Sequence, residues 1–110
     1  MISWLTLISV VIPAYNEEKY LPATLASLTR AREFSVAKGC CPLEVHVVNN
    51  ESTDLTGQIA SASGAGVILE RRHNIATVRN TGARAASGEL LVFVDADTIV
   101  PESTNPDIAK

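Results

Sequence analysis

The run Leu90-Leu91-Val92-Phe93-Val94 ends directly on Asp95-Ala96-Asp97, and this junction constrains the chain more than any other stretch. An unbroken apolar run bounded by polar residues fits a strand buried on both faces, the kind found in parallel sheets. Open α/β sheets bind ligands in the crevice at the carboxyl ends of their strands, so both acids would stand in such a crevice. Carboxylates this close repel each other unless a cation or a hydrogen-bonded ligand shares the site. Oxygen-only ligands favour a hard divalent ion, Mg2+ or Mn2+, which bridges protein carboxylates to phosphate oxygens. The same Asp-X-Asp pattern also forms a plain turn in which Asp satisfies free backbone N–H groups. What precedes it decides between the two.

The chain repeats the theme of apolar runs that stop at polar clusters. Leu5 to Ile12 predicts a first strand, ended by Pro13, which cannot donate to a sheet ladder. After the loop Pro13 to Glu18, a helix is expected from near Tyr20, with Pro22 in its first turn and Leu21, Leu25 and Leu28 on one stripe. Lys38 to Pro42 breaks it. Leu43 to Val48 reads as a second strand, in which His46 is a solvated or satisfied side chain and not a ligand. Asn49 to Asp54 follows, with Ser52 or Thr53 as N-cap of a helix carrying Leu55 and Ile59 and fading through Ser61 to Gly64. Val67 to Leu69 is a short third strand, and Glu70 to Asn74 a polar connection. A third helix is expected from Thr77 to Ala86, its small residues Val78, Gly82 and Ala85, with Ile75, packing on the sheet and Gly88 as C′ residue.

Strand–helix alternation implies a parallel sheet with right-handed crossovers. The expected fold is a Rossmann-like α/β three-layer sandwich, one domain over residues 1–110 with a polar tail from 98, and about four strands in the order 3-2-1-4. The reversal between strands one and four would bring Pro13 to Glu17, Asn49 and Asp95 to Asp97 to one crevice. A net charge of −3 gives no electrostatic reason to expect nucleic acid. The two cysteines, Cys40 and Cys41, are neighbours and imply no disulfide scaffold, which suits a reducing, cytoplasmic setting. The apolar N-terminus lacks a basic n-region and a cleavage site and is too short to span a bilayer, so it reads as strand. Association with a membrane would then be peripheral, at the cytoplasmic face.

Four motifs together resemble the family 2 glycosyltransferases of the GT-A fold. They are Ser9-Val-Val-Ile-Pro-Ala-Tyr-Asn-Glu-Glu18, Val47-Val-Asn-Asn-Glu-Ser-Thr-Asp54, Arg79-Asn-Thr-Gly-Ala-Arg84 and Gly88-Glu-Leu-Leu-Val-Phe-Val-Asp-Ala-Asp97. The resemblance runs from about Ser9 to Pro101 and implies a nucleotide-sugar donor, a divalent metal (Mg2+ or Mn2+) and transfer with inversion. It implies that Pro13, Ala14, Tyr15 and Glu17 line the base and ribose pocket and that Arg79 lies near the nucleotide. Asp95 would hold the ribose or the metal's water, and Asp97 the metal. Asn49 stands where the family usually has an aspartate that contacts uracil. An amide can accept from uracil N3–H and donate to O4, which favours a UDP-sugar over a guanine nucleotide.

Thirteen residues follow Asp97, with Glu102 and Asp107 the only acids among them. Inverting transfer needs a base within reach of the acceptor hydroxyl, and no catalytic base is identified. The chain is therefore expected to hold the donor-binding half only, with its acceptor unknown, whether truncated, a remnant or completed by another subunit, and its unpaired strand-four edge invites association with a second copy. Two rivals remain. A nucleotide- or metal-binding module without turnover fits the same motifs. A haloacid-dehalogenase-like phosphatase resembles Val92 to Thr98, but there the motif opens the domain. A dinucleotide-binding domain is disfavoured because no glycine follows the first strand. Bland readings accompany single residues: Tyr15 as a crevice wall, Asn80 as a cap or brace of the third helix, Arg71 and Arg72 as a solvated turn, Trp4 as core or interface.

Overall fold

The computed structural model describes residues 6–39 and 41–100. Trp4, Leu5, Cys40, Glu102 and Asp107 lie outside them. Seven elements alternate: β1 (Ile8–Ala14), α1 (Leu21–Ala37), β2 (Leu43–Asn49), α2 (Thr56–Ala62), β3 (Gly66–Leu69), α3 (Ile75–Ala85) and β4 (Leu90–Phe93). The sheet is parallel and ordered β3-β2-β1-β4, as expected. Helices α1 and α2 cover one face through Leu21, Leu25, Leu28 and Ala60, packed on Ile8, Val10, Ile12 and Val47. Helix α3 covers the other, where Val78 meets Val11 and Val48.

The strand buried on both faces is β1, not β4. Ile8, Val11 and Ile12 are inaccessible to solvent, whereas Leu91 and Phe93 remain 38% and 41% exposed. The reason is placement: α3 sits over β1 and β2, so the matching face of β4 lacks a cover among the described residues. The strand also runs through Pro13 instead of stopping there. Val11 O accepts from Val94 N, so the odd-numbered backbone groups of β1 face β4. The β4 ladder ends at Phe93, opposite Val11, and the missing N–H of Pro13 falls where no partner carbonyl remains.

Three helix boundaries differ from expectation for local chemical reasons. Helix α3 starts two residues early because the Asn74 side chain caps it, accepting from Thr77 N at 3.0 Å. Neither Ser52 nor Thr53 caps α2; Asp54 instead accepts from Thr56 N at 2.9 Å and from the Thr56 hydroxyl. Gly88 is not a helix C′ residue. A Cβ there would stand 2.5 Å from Leu7 O and 2.6 Å from Ser9 Oγ, so glycine permits the chain to pass against β1. Of the expected α3 stripe, only Val78 and Gly82 are buried; Ile75 and Ala85 are exposed.

Gly82 sets the depth of α3. A Cβ at this position would lie 2.3 Å from Val11 Cγ1 and 2.9 Å from Val48 Cγ2. At the amino end of the sheet, one carboxylate ties three segments together. Glu44 accepts from the Ser9 hydroxyl, from Ser87 N at 2.7 Å and from Ser87 Oγ at 2.8 Å. The Ser9 hydroxyl accepts in turn from Gly88 N at 2.7 Å. The Ser9 hydrogen bond and those from Ser87 hold the Glu44 carboxyl down at about 2, against the opposing effect of desolvation.

Two stability measurements follow. Gly82→Ala gains helix propensity but overpacks, and chemical denaturation should show a net loss of about 1–3 kcal/mol. Glu44→Gln should lose about 1–2 kcal/mol at pH 7, allowing for partial solvent screening. Because the folded carboxyl titrates below its ordinary 4.5, its contribution is full above that value and fades as the pH falls toward 2. The gap between wild type and Glu44→Gln should therefore close over that window, and a gap that stays constant would contradict the assignment.

Candidate functional site

The carboxyl ends of β1, β2 and β4 meet, and two of their loops are stitched together. Asn16 N donates to Ser52 Oγ at 3.0 Å, and Asn16 Oδ1 accepts from Thr53 N at 2.8 Å. Glu17 N donates to Thr56 Oγ1 at 2.9 Å and Glu18 N to Asp54 at 3.2 Å. Asn16 and Glu51 adopt left-handed φ values of 52° and 57° at the two bends, a conformation that Asn tolerates better than most residues. Burial pushes the Asp54 carboxyl up, but the hydrogen bonds from Thr56 and Glu18 outweigh it and hold the group below its usual range.

The Asp95-Ala96-Asp97 turn is anchored by its middle residue. Ala96 is buried, and its carbonyl accepts from Thr24 Oγ1 of α1 at 2.8 Å. Thr98 N closes the turn on Asp95 O at 3.0 Å, and Val100 N reaches Ser27 Oγ at 2.9 Å. With Ala96 pulled inward, Asp95 and Asp97 both face solvent. Glu17 faces the same space. Its carboxyl is raised by desolvation first, then by the negative charges of Asp97, Asp54 and Asp95. Three chain segments thus direct acids at one region, and among the described residues no cation offsets their effect on Glu17. Among the described residues, no three His, Cys, Asp or Glu side chains are close enough to hold a metal by themselves.

Beside these acids lies a groove of about 420 Å³, lined by Pro13, Ala14, Tyr15, Glu17, Asn50, His73 and the start of α3. Four of the expected residues, Pro13, Ala14, Tyr15 and Glu17, are therefore gathered together. Tyr15 meets His73 edge-to-face, with ring centres 5.3 Å apart. Asn49 is not in the groove. Strand alternation puts it on the α2 side, where its Oδ1 accepts from Ser52 N at 3.0 Å and its amide abuts Gly57. Asn50 takes its place at the groove wall, with Nδ2 donating to Glu70 O at 2.6 Å and Arg72 O at 3.0 Å. Arg79 does not line the groove either; its guanidinium lies over the Phe93 ring at 5.5 Å.

Asn50, His73 and Thr24 were not among the expected site residues. Counting by two from Val48, which packs under α3, would have found Asn50 on the groove side. The contacts of His73 and Thr24 span long sequence separations and leave no local signal.

Residues 9–110 match the family described as Glycosyl transferase family 2. The chain belongs to that family. It is 33% identical over 90 residues to an uncharacterised glycosyltransferase of Mycobacterium bovis, covering 82% of this chain and 36% of that one. The crystal structure of Staphylococcus aureus TarS residues 1–349 with UDP superposes with a TM-score of 0.76 at 33% identity, over 93% of this chain and 30% of that one. Glucosyl-3-phosphoglycerate synthase from Mycobacterium tuberculosis, solved with Mn2+, UDP and glucosyl-3-phosphoglycerate, superposes at 0.75 with 28% identity, over 92% and 37%. The sheet order and these neighbours give the fold as GT-A. The chain spans about a third of the length of each of these three proteins. The phosphatase reading is set aside by the family match. Among the described residues, no helix is long and apolar enough to cross a membrane.

The anchored turn is open to a direct check. Thr24→Val keeps the shape of the buried side chain but leaves Ala96 O without its donor. Denaturation should show a loss of about 1–2 kcal/mol, and unchanged stability would mean that the turn holds itself.

Proposed function

We propose that this chain binds the nucleotide-diphospho-sugar donor of an inverting glycosyl transfer, with UDP as the nucleotide and a divalent cation at the diphosphate. One observation carries the reading: Glu17, Asp95 and Asp97 face one space at the sheet's carboxyl end, beside a groove whose wall is aromatic and amide. The UDP complexes of the two structural neighbours support it.

The residues present fit a cation of the Mg2+ or Mn2+ kind. Such ions keep several waters and take one or two protein carboxylates together with phosphate oxygens, so a set of three protein ligands is not required. Asp97 is the proposed ligand, and Asp95 the residue that holds a ribose hydroxyl or a water of the metal. When bound, the ion would neutralise charge on the departing diphosphate as a Lewis acid. Tyr15, Pro13 and Ala14 wall the base. Arg79, parked over Phe93, is a cation that can swing toward the phosphates.

Asn50 reads the base in this proposal. Both hydrogens of its amide are committed to the carbonyls of Glu70 and Arg72. A flipped amide would set its oxygen against two carbonyl oxygens, so the orientation is fixed by repulsion as well as by attraction. What remains for a ligand is Oδ1, an acceptor suited to the N3–H of uracil. The amide therefore acts as an uncharged substitute for a carboxylate, and it does not also donate to O4.

Transfer chemistry separates the enzyme reading from that of a binding module: donor hydrolysis or transfer by the chain supports the first, and binding alone the second. Calorimetry with UDP, with and without Mn2+, tests the site itself. Asp97→Ala should abolish the strengthening of UDP binding by Mn2+ and leave thermal stability unchanged, since the side chain is exposed. Retention of that metal effect would remove Asp97 as ligand. Asn50→Ala should weaken UDP binding about tenfold, the equivalent of one hydrogen bond, while Asn49→Ala stays within about twofold. The opposite pattern would move the base to the α2 side of the sheet.

A further inference from the structure

Glu70 stands at the end of β3, is 8% exposed and does not line the groove. All four of its polar groups are nonetheless bonded to the segments that flank the groove. Its backbone N donates to Asn49 O at 3.0 Å, and its carbonyl accepts from Asn50 Nδ2 at 2.6 Å. One carboxylate oxygen accepts from Arg72 N at 3.0 Å; the other accepts from the Thr81 hydroxyl of α3 at 2.6 Å. The Thr81 hydroxyl is the strongest influence keeping this carboxyl below its usual range, so it remains an ionised double acceptor at neutral pH. Arg72 adds a guanidinium contact at 3.5 Å, with its own side chain 76% exposed.

The consequence concerns the amide of Asn50. Its orientation depends on two carbonyls, those of Glu70 and Arg72, pointing at Nδ2 together. They belong to a short connection between β3 and α3 that has no ladder of its own beyond Glu70 N. The carboxylate of Glu70 closes that connection on itself through Arg72 N and pins it to α3 through Thr81. Without the pin, the two carbonyls are free to separate, and the amide is free to turn over.

We infer that Glu70, acting through Thr81 and the Arg72 N–H, is a positioning residue that locks Asn50 as an acceptor and so sets which base the groove admits. The inference rests on the reading of this groove as the base site. A locked Oδ1 pairs with uracil N3–H and opposes the bare N3 of cytosine, which is itself an acceptor. An unlocked amide can turn its NH2 toward cytosine N3 and accept both bases.

The ratio of UDP to CDP affinity therefore reports the lock, and a general loss of structure would lower both affinities alike. Calorimetry on wild type, Glu70→Gln, Thr81→Val and Thr81→Ser supplies the comparison. Glu70→Gln puts a donor where an acceptor stood, Thr81→Val removes the hydroxyl at constant shape, and Thr81→Ser restores it. Wild type should favour UDP over CDP by about tenfold or more, a factor that one matched against one mismatched hydrogen bond supplies. Glu70→Gln and Thr81→Val should cut that ratio at least threefold, and Thr81→Ser should keep it. Equal losses for both nucleotides, or an unchanged ratio in Thr81→Val, would overturn the inference and leave the base site standing. Wild type that binds neither nucleotide, or both equally, would overturn the base site and the inference with it.

Discussion

Everything at the functional end follows from β1 being hydrogen-bonded on both sides and buried on both faces. Its pairing with β2 extends through Ala14 and Asn49, while its pairing with β4 stops at Val11 and Phe93. The unequal lengths leave a step at the carboxyl edge, and the β4 chain turns away over α1 just where β1 and β2 are still extended. Thr24 catches that turn by the Ala96 carbonyl. Helix α3 can lie close enough to complete the groove wall because Gly82 places no side chain between it and Val11. Close packing of this kind fixes distances in a way that loop contacts alone do not.

The two ends of the sheet treat their acids in opposite ways, and the contrast is in keeping with the site proposed at the carboxyl end. Glu44, at the amino end, is surrounded by donors from Ser9 and Ser87 and is held strongly ionised. Such a carboxylate is spent on the fold. Glu17, at the carboxyl end, is raised by burial and by Asp97, Asp54 and Asp95. Among the described residues no donor relieves its unfavourable surroundings, which is the condition under which an added cation gains most. Asp54 is an intermediate case: it adds negative charge to the crevice, yet its own oxygens are bound to Thr56 and Glu18, so it works as a structural clasp.

The strand order and the layering were legible in the sequence because each apolar run is short and each ends in polar residues. So was the grouping of Pro13, Ala14, Tyr15 and Glu17, since consecutive loop residues travel together. What could not be read locally was which faces are covered. The Leu90 to Val94 run reads as a two-sided core strand, and only the position of α3 over β1 and β2 shows that Leu91 and Phe93 stay exposed. The exchange of Asn49 for Asn50 is a different kind of miss. Side-chain alternation was available, but it requires knowing that Val48 belongs to the α3 face. The cap at Asn74 carries little local signal, because the apolar Ile75 that follows it is exposed on the first turn and does not belong to the buried stripe. Glu70 and Thr81 are eleven residues apart in sequence and meet only because the chain folds back after β3.

The central claim is that a divalent cation is held at the carboxyl edge of the sheet, where Glu17, Asp95 and Asp97 face one space. Paramagnetic broadening tests it most directly: Mn2+ titrated into isotope-labelled chain in the presence of UDP, followed by backbone amide spectra. The account predicts that amides of 95–98 and 15–18 broaden first, and that those of Glu44, Ser87 and Gly88 stay sharp until Mn2+ is in large excess. Early broadening at the Glu44 end, or uniform broadening with no preferred segment, would contradict it.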